Sequence, residues 1–279
     1  MRDTTAPVAK TRVHTSASSG RGDVAETVAR AQPRISIVVP ALNEEKLIAR
    51  TLQCFPPELR ERYNIELIVS DGGSRDRTVE IARYHADIVV EHDEPRRQTI
   101  AEGRNRGAEL ASGDLLVFIN ADTVPRDPRM FMHALTTIAA GGMKQGRRGI
   151  AAYACPVEVS PEEQRLSDRL FHSFFNNYVR LLNSIGLGMG RGECQVIWSD
   201  AFRTVGGYNN MMAAGEDFDL FKRLNRRGNI GHSWDLCVYE SPRRFRRYGY
   251  LRVLAEWSAN ALAVIFLRRS ISKEWEEVR

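Results

Sequence analysis

Polar helical stretches separate a series of short apolar runs along this chain. Ile35-Ser36-Ile37-Val38-Val39-Pro40 is rich in β-branched residues and closes on proline, the pattern of a buried parallel strand. Leu47, Ile48, Thr51 and Leu52 then recur at helical spacing, with Asn43 placed to cap that helix and Pro56-Pro57 to end it. The alternation returns. Ile65–Ser70 predicts a strand, Asp71-Gly72-Gly73-Ser74 a turn, Thr78–Tyr84 a helix and Ile88–Val90 a strand. Thr99–Ala111 predicts a further helix that Gly113 ends, and Leu115–Ile119 a fourth strand. Strands alternating with helices imply right-handed crossovers, hence an α/β fold with a Rossmann-like, mostly parallel sheet and helices on both faces.

The second half is less regular. Gly141 to Gly149 is a basic, glycine-rich loop, Ala151–Val159 a strand, and Glu162–Leu182 an aromatic-rich helix. Gly186–Gly192 predicts a flexible link, Cys194–Trp198 a strand, Gly206-Gly207 a turn, and Gly215-Glu216-Asp217 the start of a helix. Residues 1–33 hold Thr, Ser, Ala, Gly and Arg without a sustained apolar period and predict a disordered tail. Residues 34–245 then form the main domain, with 34–125 and 126–245 as its two halves. Residues 246–279 predict a C-terminal amphipathic helical segment, apolar and Trp-bearing between Arg246-Arg247 and Arg268-Arg269. Interrupted by Glu256 and Asn260, it is too short to span a bilayer and suits an interfacial helix, one packed on the core or a dimer contact equally.

Composition narrows the class. With 279 residues, 43% hydrophobic and 27% charged, the chain can bury a sizeable core and is neither membrane-embedded nor wholly disordered. No apolar h-region and no run of about twenty apolar residues occurs, so a cytoplasmic location is expected, at most at the inner face of the membrane. Cys54, Cys155, Cys194 and Cys237 lie far apart without a CxxC pair, which predicts reduced, mostly buried thiols and no structural zinc. The net charge of +5 points to an anionic partner. No nucleic-acid-binding motif accompanies it, so nucleic acid is not expected.

In open parallel sheets, sites lie at the carboxyl ends of strands. Asn43-Glu44, Asp71-Gly72-Gly73 and Asn120-Ala121-Asp122 all fall there. Together with Val39-Pro40-Ala41-Leu42, Ser74-Arg75-Asp76-Arg77-Thr78, Gly103-Arg104-Asn105-Arg106-Gly107-Ala108, Ser112-Gly113-Asp114 and Gly215-Glu216-Asp217, their order and spacing make the chain resemble the inverting family 2 glycosyltransferases of GT-A fold, over roughly residues 35 to 244.

That resemblance implies a transferase that moves a sugar from a nucleotide-diphosphate sugar to a hydroxyl acceptor, in this family often lipid-linked or a cell-envelope glycan. Pro40, Ala41 and Glu44 would border ribose and base, Asp71 in its turn with Gly72 would hydrogen-bond the base, and Arg104 would face the diphosphate. The family's usual Asp-x-Asp reads Asn-Ala-Asp here. Asn120 then keeps only a ribose contact, and Asp122 is the expected ligand of Mg²⁺ or Mn²⁺, with weaker affinity or altered donor choice. Asp217, with Glu216 beside it, is the expected catalytic base, and its place in a first helical turn predicts that the macrodipole holds it ionised. Two other classes remain. A nucleotidyltransferase shares the carboxylates but opens on a glycine-rich phosphate loop, which Asn43-Glu44 does not provide. A non-catalytic nucleotide- or glycan-binding relative would account for Asn120, while Asp122 and Asp217 argue against it.

Overall fold

The computed structural model describes residues 13–15, 33–142, 149–212 and 214–267. The predicted tail at 1–33, the core of the basic loop at 143–148 and the end at 268–279 therefore lie largely outside the described residues. Within the tail, Val13–Thr15 (β1) does form a short strand.

The first half follows the sequence pattern closely: β2 (Ile35–Ala41), α1 (Ile48–Leu52), α2 (Pro57–Tyr63), β3 (Ile65–Asp71), α3 (Thr78–His85), β4 (Ile88–Glu91), α4 (Ile100–Leu110) and β5 (Leu115–Ile119). Every residue of β2, β3 and β5 is buried, the signature of strands covered on both faces. Each such Ile, Val or Leu contributes about 1.5–3 kcal/mol of burial. α4 lies directly on β2 because Gly107 permits it: a Cβ there would stand 2.3 Å from Val38 Cγ1. Thr99 caps that helix in a capping box with Glu102. Asn43 does not cap α1. It sits in the left-handed region at φ 52° and bonds the neighbouring turn, so Leu47 becomes the N-cap.

The second half adds β6 (Val124–Pro125), α5 (Pro128–Gly141), β7 (Ile150–Ala154), β8 (Val157–Val159), α6 (Leu166–Ser184), β9 (Cys194–Trp198), α7 (Ser199–Thr204), α8 (Glu216–Leu224), β10 (Asn229–Gly231), a 3₁₀ turn (Trp234–Leu236), β11 (Val238–Glu240), α9 (Arg243–Tyr248) and α10 (Tyr250–Leu267). The main sheet runs β1-β4-β3-β2-β5-β9-β7-β10. Its β4-β3-β2-β5 half is parallel, whereas β9 pairs antiparallel to both β5 and β7. A second sheet, β6-β11-β8, was not legible as such. The single strand expected at 151–159 is two strands, one in each sheet, broken at Cys155-Pro156.

The link at 186–192 is held rather than loose. Asn183 bonds the amide and carbonyl of Met189 at 2.6 and 2.8 Å, and a Cβ at Gly190 would meet the Phe221 ring at 2.4 Å. Cys155, Cys194 and Cys237 are buried free thiols, and Cys54 is half-buried. No helix among the described residues is long and apolar enough to cross a membrane.

Candidate active site

A cleft of about 510 Å³ opens where the parallel half of the sheet ends, closed from the other side by the 189–193 link, the start of α8 and the start of α9. Pro40, Ala41, Glu44, Gly72, Arg104, Asn120, Asp122, Glu216 and Asp217 all line it. The fold thus gathers into one cavity residues that lie up to 177 positions apart in sequence, as the register of β2, β3 and β5 requires. A second depression of about 1110 Å³ between α4, α7 and α8 contains none of the predicted residues.

Asp71 is the exception among the predicted residues. Its carboxylate is almost completely buried and accepts from the amides of Gly73 and Ser74 at 2.9 and 2.8 Å and from the Ser74 hydroxyl. Ser74 Oγ in turn accepts from the Asn43 amide at 2.8 Å, and Asn43 Oδ1 from the Arg75 amide at 2.8 Å. The Glu44 amide donates to Thr78 Oγ1 at 2.8 Å. Asp71 therefore ties the loop after β3 to the loop after β2, and the two loops present their backbones to the cleft as one wall.

Arg104 is a hub. It projects from α4 with 1% exposure, donates from Nη1 to Glu216 Oε1 at 2.8 Å and from Nη2 to Asn120 Oδ1 at 3.0 Å and the Gly192 carbonyl at 2.6 Å, and lies over the Tyr208 ring at 5.2 Å. Burial works against its charge, but Tyr208, Glu216 and Asp217 around it hold its pKa above the ordinary value. Its two terminal nitrogens are engaged by protein acceptors from three separate segments, while the buried Nε has no partner among the described residues. The uncharged amide of Asn120 is one of them.

Asp122 faces an arginine. Arg243, at the first position of α9, donates from Nη2 to Glu44 Oε1 at 2.6 Å and to Asp122 Oδ2 at 3.1 Å. Burial raises the pKa of Asp122, and the Arg243 guanidinium opposes that rise. A cation thus already stands between the two carboxylates that line the cleft. Their hard oxygens suit Mg²⁺ or Mn²⁺ in the way such ions are commonly held, by one or two carboxylates completed by substrate phosphates and water. No group of three or more His, Cys, Asp or Glu side chains able to hold a metal by itself occurs among the described residues.

Asp217 opens α8. Its Oδ1 accepts from the Phe218 amide at 2.8 Å, yet its pKa is pushed up to about 7, first by burial and next by the charge of Glu216, with Arg104 opposing. The expectation that the helix terminus keeps it ionised is therefore corrected: loss of solvent and a like charge one residue away outweigh the macrodipole.

Sequence reasoning missed a second buried arginine. Arg191 bonds Glu193 at 3.1 Å, Glu240 at 3.0 Å and Asn176 at 3.3 Å, with His172 alongside, and Arg191, Glu193 and Glu240 all line the cleft. Burial first, and then Glu193, raise the pKa of Glu240. Burial and Arg191 push the His172 pKa down to about 3, so its imidazole is neutral. Arg191 and Glu193 sit in the link before β9 and Glu240 at the last position of β11, where no periodicity marks them. His232 stands apart, edge-on to Trp234.

The model for "Glycosyl transferase family 2" matches residues 36–141. The succinoglycan biosynthesis protein ExoA of Rhizobium meliloti is 30% identical over 200 residues, covering 69% of this chain and 58% of the relative. The chain spans less than two thirds of the curated relatives it matches, down to 20% of a validoxylamine A glucosyltransferase of Streptomyces hygroscopicus subsp. limoneus that is 35% identical over 91 residues. Among solved structures, the mannosyltransferase PcManGT of Pyrobaculum calidifontis, in complex with GDP-Man and Mn²⁺, superposes at a TM-score of 0.62 with 21% identity, over 85% of this chain and 64% of that one. Glucosyl-3-phosphoglycerate synthase of Mycobacterium tuberculosis, in complex with Mn²⁺, UDP and phosphoglyceric acid, superposes at 0.57 with 23% identity, over 91% and 84%. The fold is the GT-A fold.

Proposed function

We propose that the chain, whose residues 36–141 match the model for glycosyl transferase family 2, transfers a sugar, with inversion, from a nucleotide-diphosphate sugar to a hydroxyl of a cell-envelope or lipid-linked glycan. The observation that carries the reading is the single cleft in which a strand-end carboxylate, Asp122, and a carboxylate titrating near neutrality, Asp217, face the same space.

In this reading Pro40, Ala41, Glu44 and Gly72 form the wall against which nucleoside lies, with Asp71 fixing that wall from behind. Asn120 offers its amide to a ribose hydroxyl while Arg104 holds it in place. Asp122 would hold a Mg²⁺ or Mn²⁺ ion, which when bound supplies Lewis-acid neutralisation of the leaving diphosphate. Arg243 must release Asp122 as the donor enters and is then in position to pair with phosphate oxygens. Asp217 takes the acceptor hydroxyl's proton as that oxygen attacks opposite the diphosphate. A base with a pKa near the working pH accepts that proton with little cost and passes it on readily. Glu216 stays bound to Arg104 and sets the field at Asp217.

A nucleotidyltransferase is disfavoured by the stitched loop at 42–45, whose amides are committed to Ser74, Thr78 and Asp76. Titration calorimetry of the full chain with UDP, GDP, ADP and CDP, with and without Mn²⁺, tests the reading. Metal-strengthened binding of one nucleoside diphosphate is expected, and no binding of any of them overturns it.

A further inference from the structure

α6 is amphipathic in an unusual sense, because it carries two apolar faces. One face, Phe175 and Val179, is buried in the core. The other is a stripe on the outside: Leu166 is 72% exposed, Leu170 63%, Phe174 60% and Leu181 58%, continuing into Ile185 at 62%. These positions fall four apart, or seven across one gap, and so share one side of the helix. The stripe amounts to something on the order of 600 Å² of apolar surface, at or beyond the largest patch of an ordinary soluble monomer.

Arginines line one edge of the stripe, with the exposed Glu162 and Glu163 lying before the helix rather than along it. Arg169 and Arg180 are exposed along one edge of it, Arg165 is exposed at the helix start, and the only acid within α6, Asp168, is fully buried and bound by Arg246 and Tyr250. Tyr178, stacked on Phe174, brings a phenol to the opposite edge. From there Phe171 and Phe175 lead to Trp257 of α10, which lines the cleft together with Phe175. Leu251 of α10 is also exposed. An apolar stripe with arginines along its margin, no exposed acid in the helix and an aromatic edge matches the demands of a bilayer interface, where acyl chains take the stripe and anionic headgroups take the guanidinium groups.

We propose that the outer face of α6 docks on an anionic phospholipid bilayer, with the cleft that Phe175 lines lying on the inner side of the same helix. This goes beyond the transferase reading and stands apart from it, because the docking face shares no residue with the donor wall or with Asp122 and Asp217. It also places membrane contact on α6 rather than on the C-terminal segment.

The test is co-sedimentation of the full chain with phosphatidylcholine vesicles made with and without phosphatidylglycerol. The wild type is expected to pellet with the anionic vesicles and to remain in the supernatant with the neutral ones. Arg169→Gln with Arg180→Gln should weaken anionic binding about 25-fold, the scale of two surface arginines. Leu170→Ser, Phe174→Ser and Leu181→Ser together should abolish it. Should the triple variant not fold, Phe174→Trp serves instead, and its emission should shift to the blue on anionic vesicles only. Wild-type protein that stays in solution with anionic vesicles overturns the proposal. So does a stable dimer in sedimentation equilibrium that the triple variant dissolves, since a second copy of the chain would then be what covers the stripe.

Discussion

Replacing Arg104 by methionine tests how the site is built. In the structure its guanidinium satisfies Glu216, Asn120 and the Gly192 carbonyl at 2.8, 3.0 and 2.6 Å in a setting nearly closed to solvent. Methionine keeps the volume of the stem but strands the Glu216 carboxylate, which is 7% exposed, without a cation. Breaking one side of a buried ion pair costs about 3–5 kcal/mol. At roughly 2–4 °C per kcal/mol for a chain of this size, the melting temperature should fall by about 6–20 °C. Lysine at 104 should recover only part of this, since one ammonium cannot span acceptors from three segments. Combining Arg104→Met with Glu216→Met should restore most of the loss, because an apolar pair leaves no buried charge behind. Thermal melts followed by circular dichroism, with calorimetric nucleotide binding on the same samples, supply the readout. If Arg104→Met melted within about 2 °C of the wild type yet lost nucleotide binding, Arg104 would be a ligand of the diphosphate rather than an anchor of the site.

Asp217, with a pKa near 7, is mostly protonated below neutrality, so kcat/KM should climb about tenfold per pH unit up to pH 7 and level above it. Glu216→Gln removes the second cause of that shift and should move the ascending limb to lower pH; an unmoved limb would show that another group titrates. The same shift acts on folding with the opposite sign. Since the folded pKa lies above the ordinary 3.8, the folded state holds this proton more tightly, and the stability it contributes declines as pH rises from about 4 through 7, measurable by denaturant melts. Arg243→Gln removes the cation from between Glu44 and Asp122 and should raise Mn²⁺ affinity in the absence of nucleotide by at least about tenfold, while raising the KM for donor; calorimetry and steady-state kinetics read the two effects separately. Gly107→Ala should cost about 1–3 kcal/mol in denaturant melts, because its Cβ would stand 2.3 Å from Val38 Cγ1 in a packed core.

Local signals carried the first half of the molecule. β2, β3 and β5 are mainly apolar runs, interrupted by Ser36 in β2 and Glu66 in β3, that end in Pro, Asp-Gly and Asn, so both their burial and their polar carboxyl ends could be read in one dimension. From the strand ends followed the place of Glu44, Gly72, Asn120 and Asp122. What escaped was set by contacts across the chain. Arg243 reaches Glu44 across a separation of 199 residues, and Arg191 meets Glu240 at a separation of 49. Neither arginine differs in local pattern from a solvated one; each is distinguished only by the carboxylates that the fold brings to it. The division of 151–159 between two sheets likewise depends on β11, which pairs with β8 across some eighty residues. Asp217 shows the same limit. Its helix position was legible, but its protonation depends on burial under the 190–193 link and on Glu216, which position along the helix cannot reveal.

Whether Asp217 is the base of a sugar transfer can be measured directly. The purified full chain is incubated with nucleotide sugars of each base, Mn²⁺ and a glycan or lipid-linked acceptor extract, and nucleotide diphosphate release is followed for the wild type and for Asp217→Asn. Acceptor-dependent release from one donor class is expected, falling about 10²- to 10⁴-fold in Asp217→Asn with nucleotide affinity retained. Undiminished release by Asp217→Asn would contradict the role given to that carboxylate.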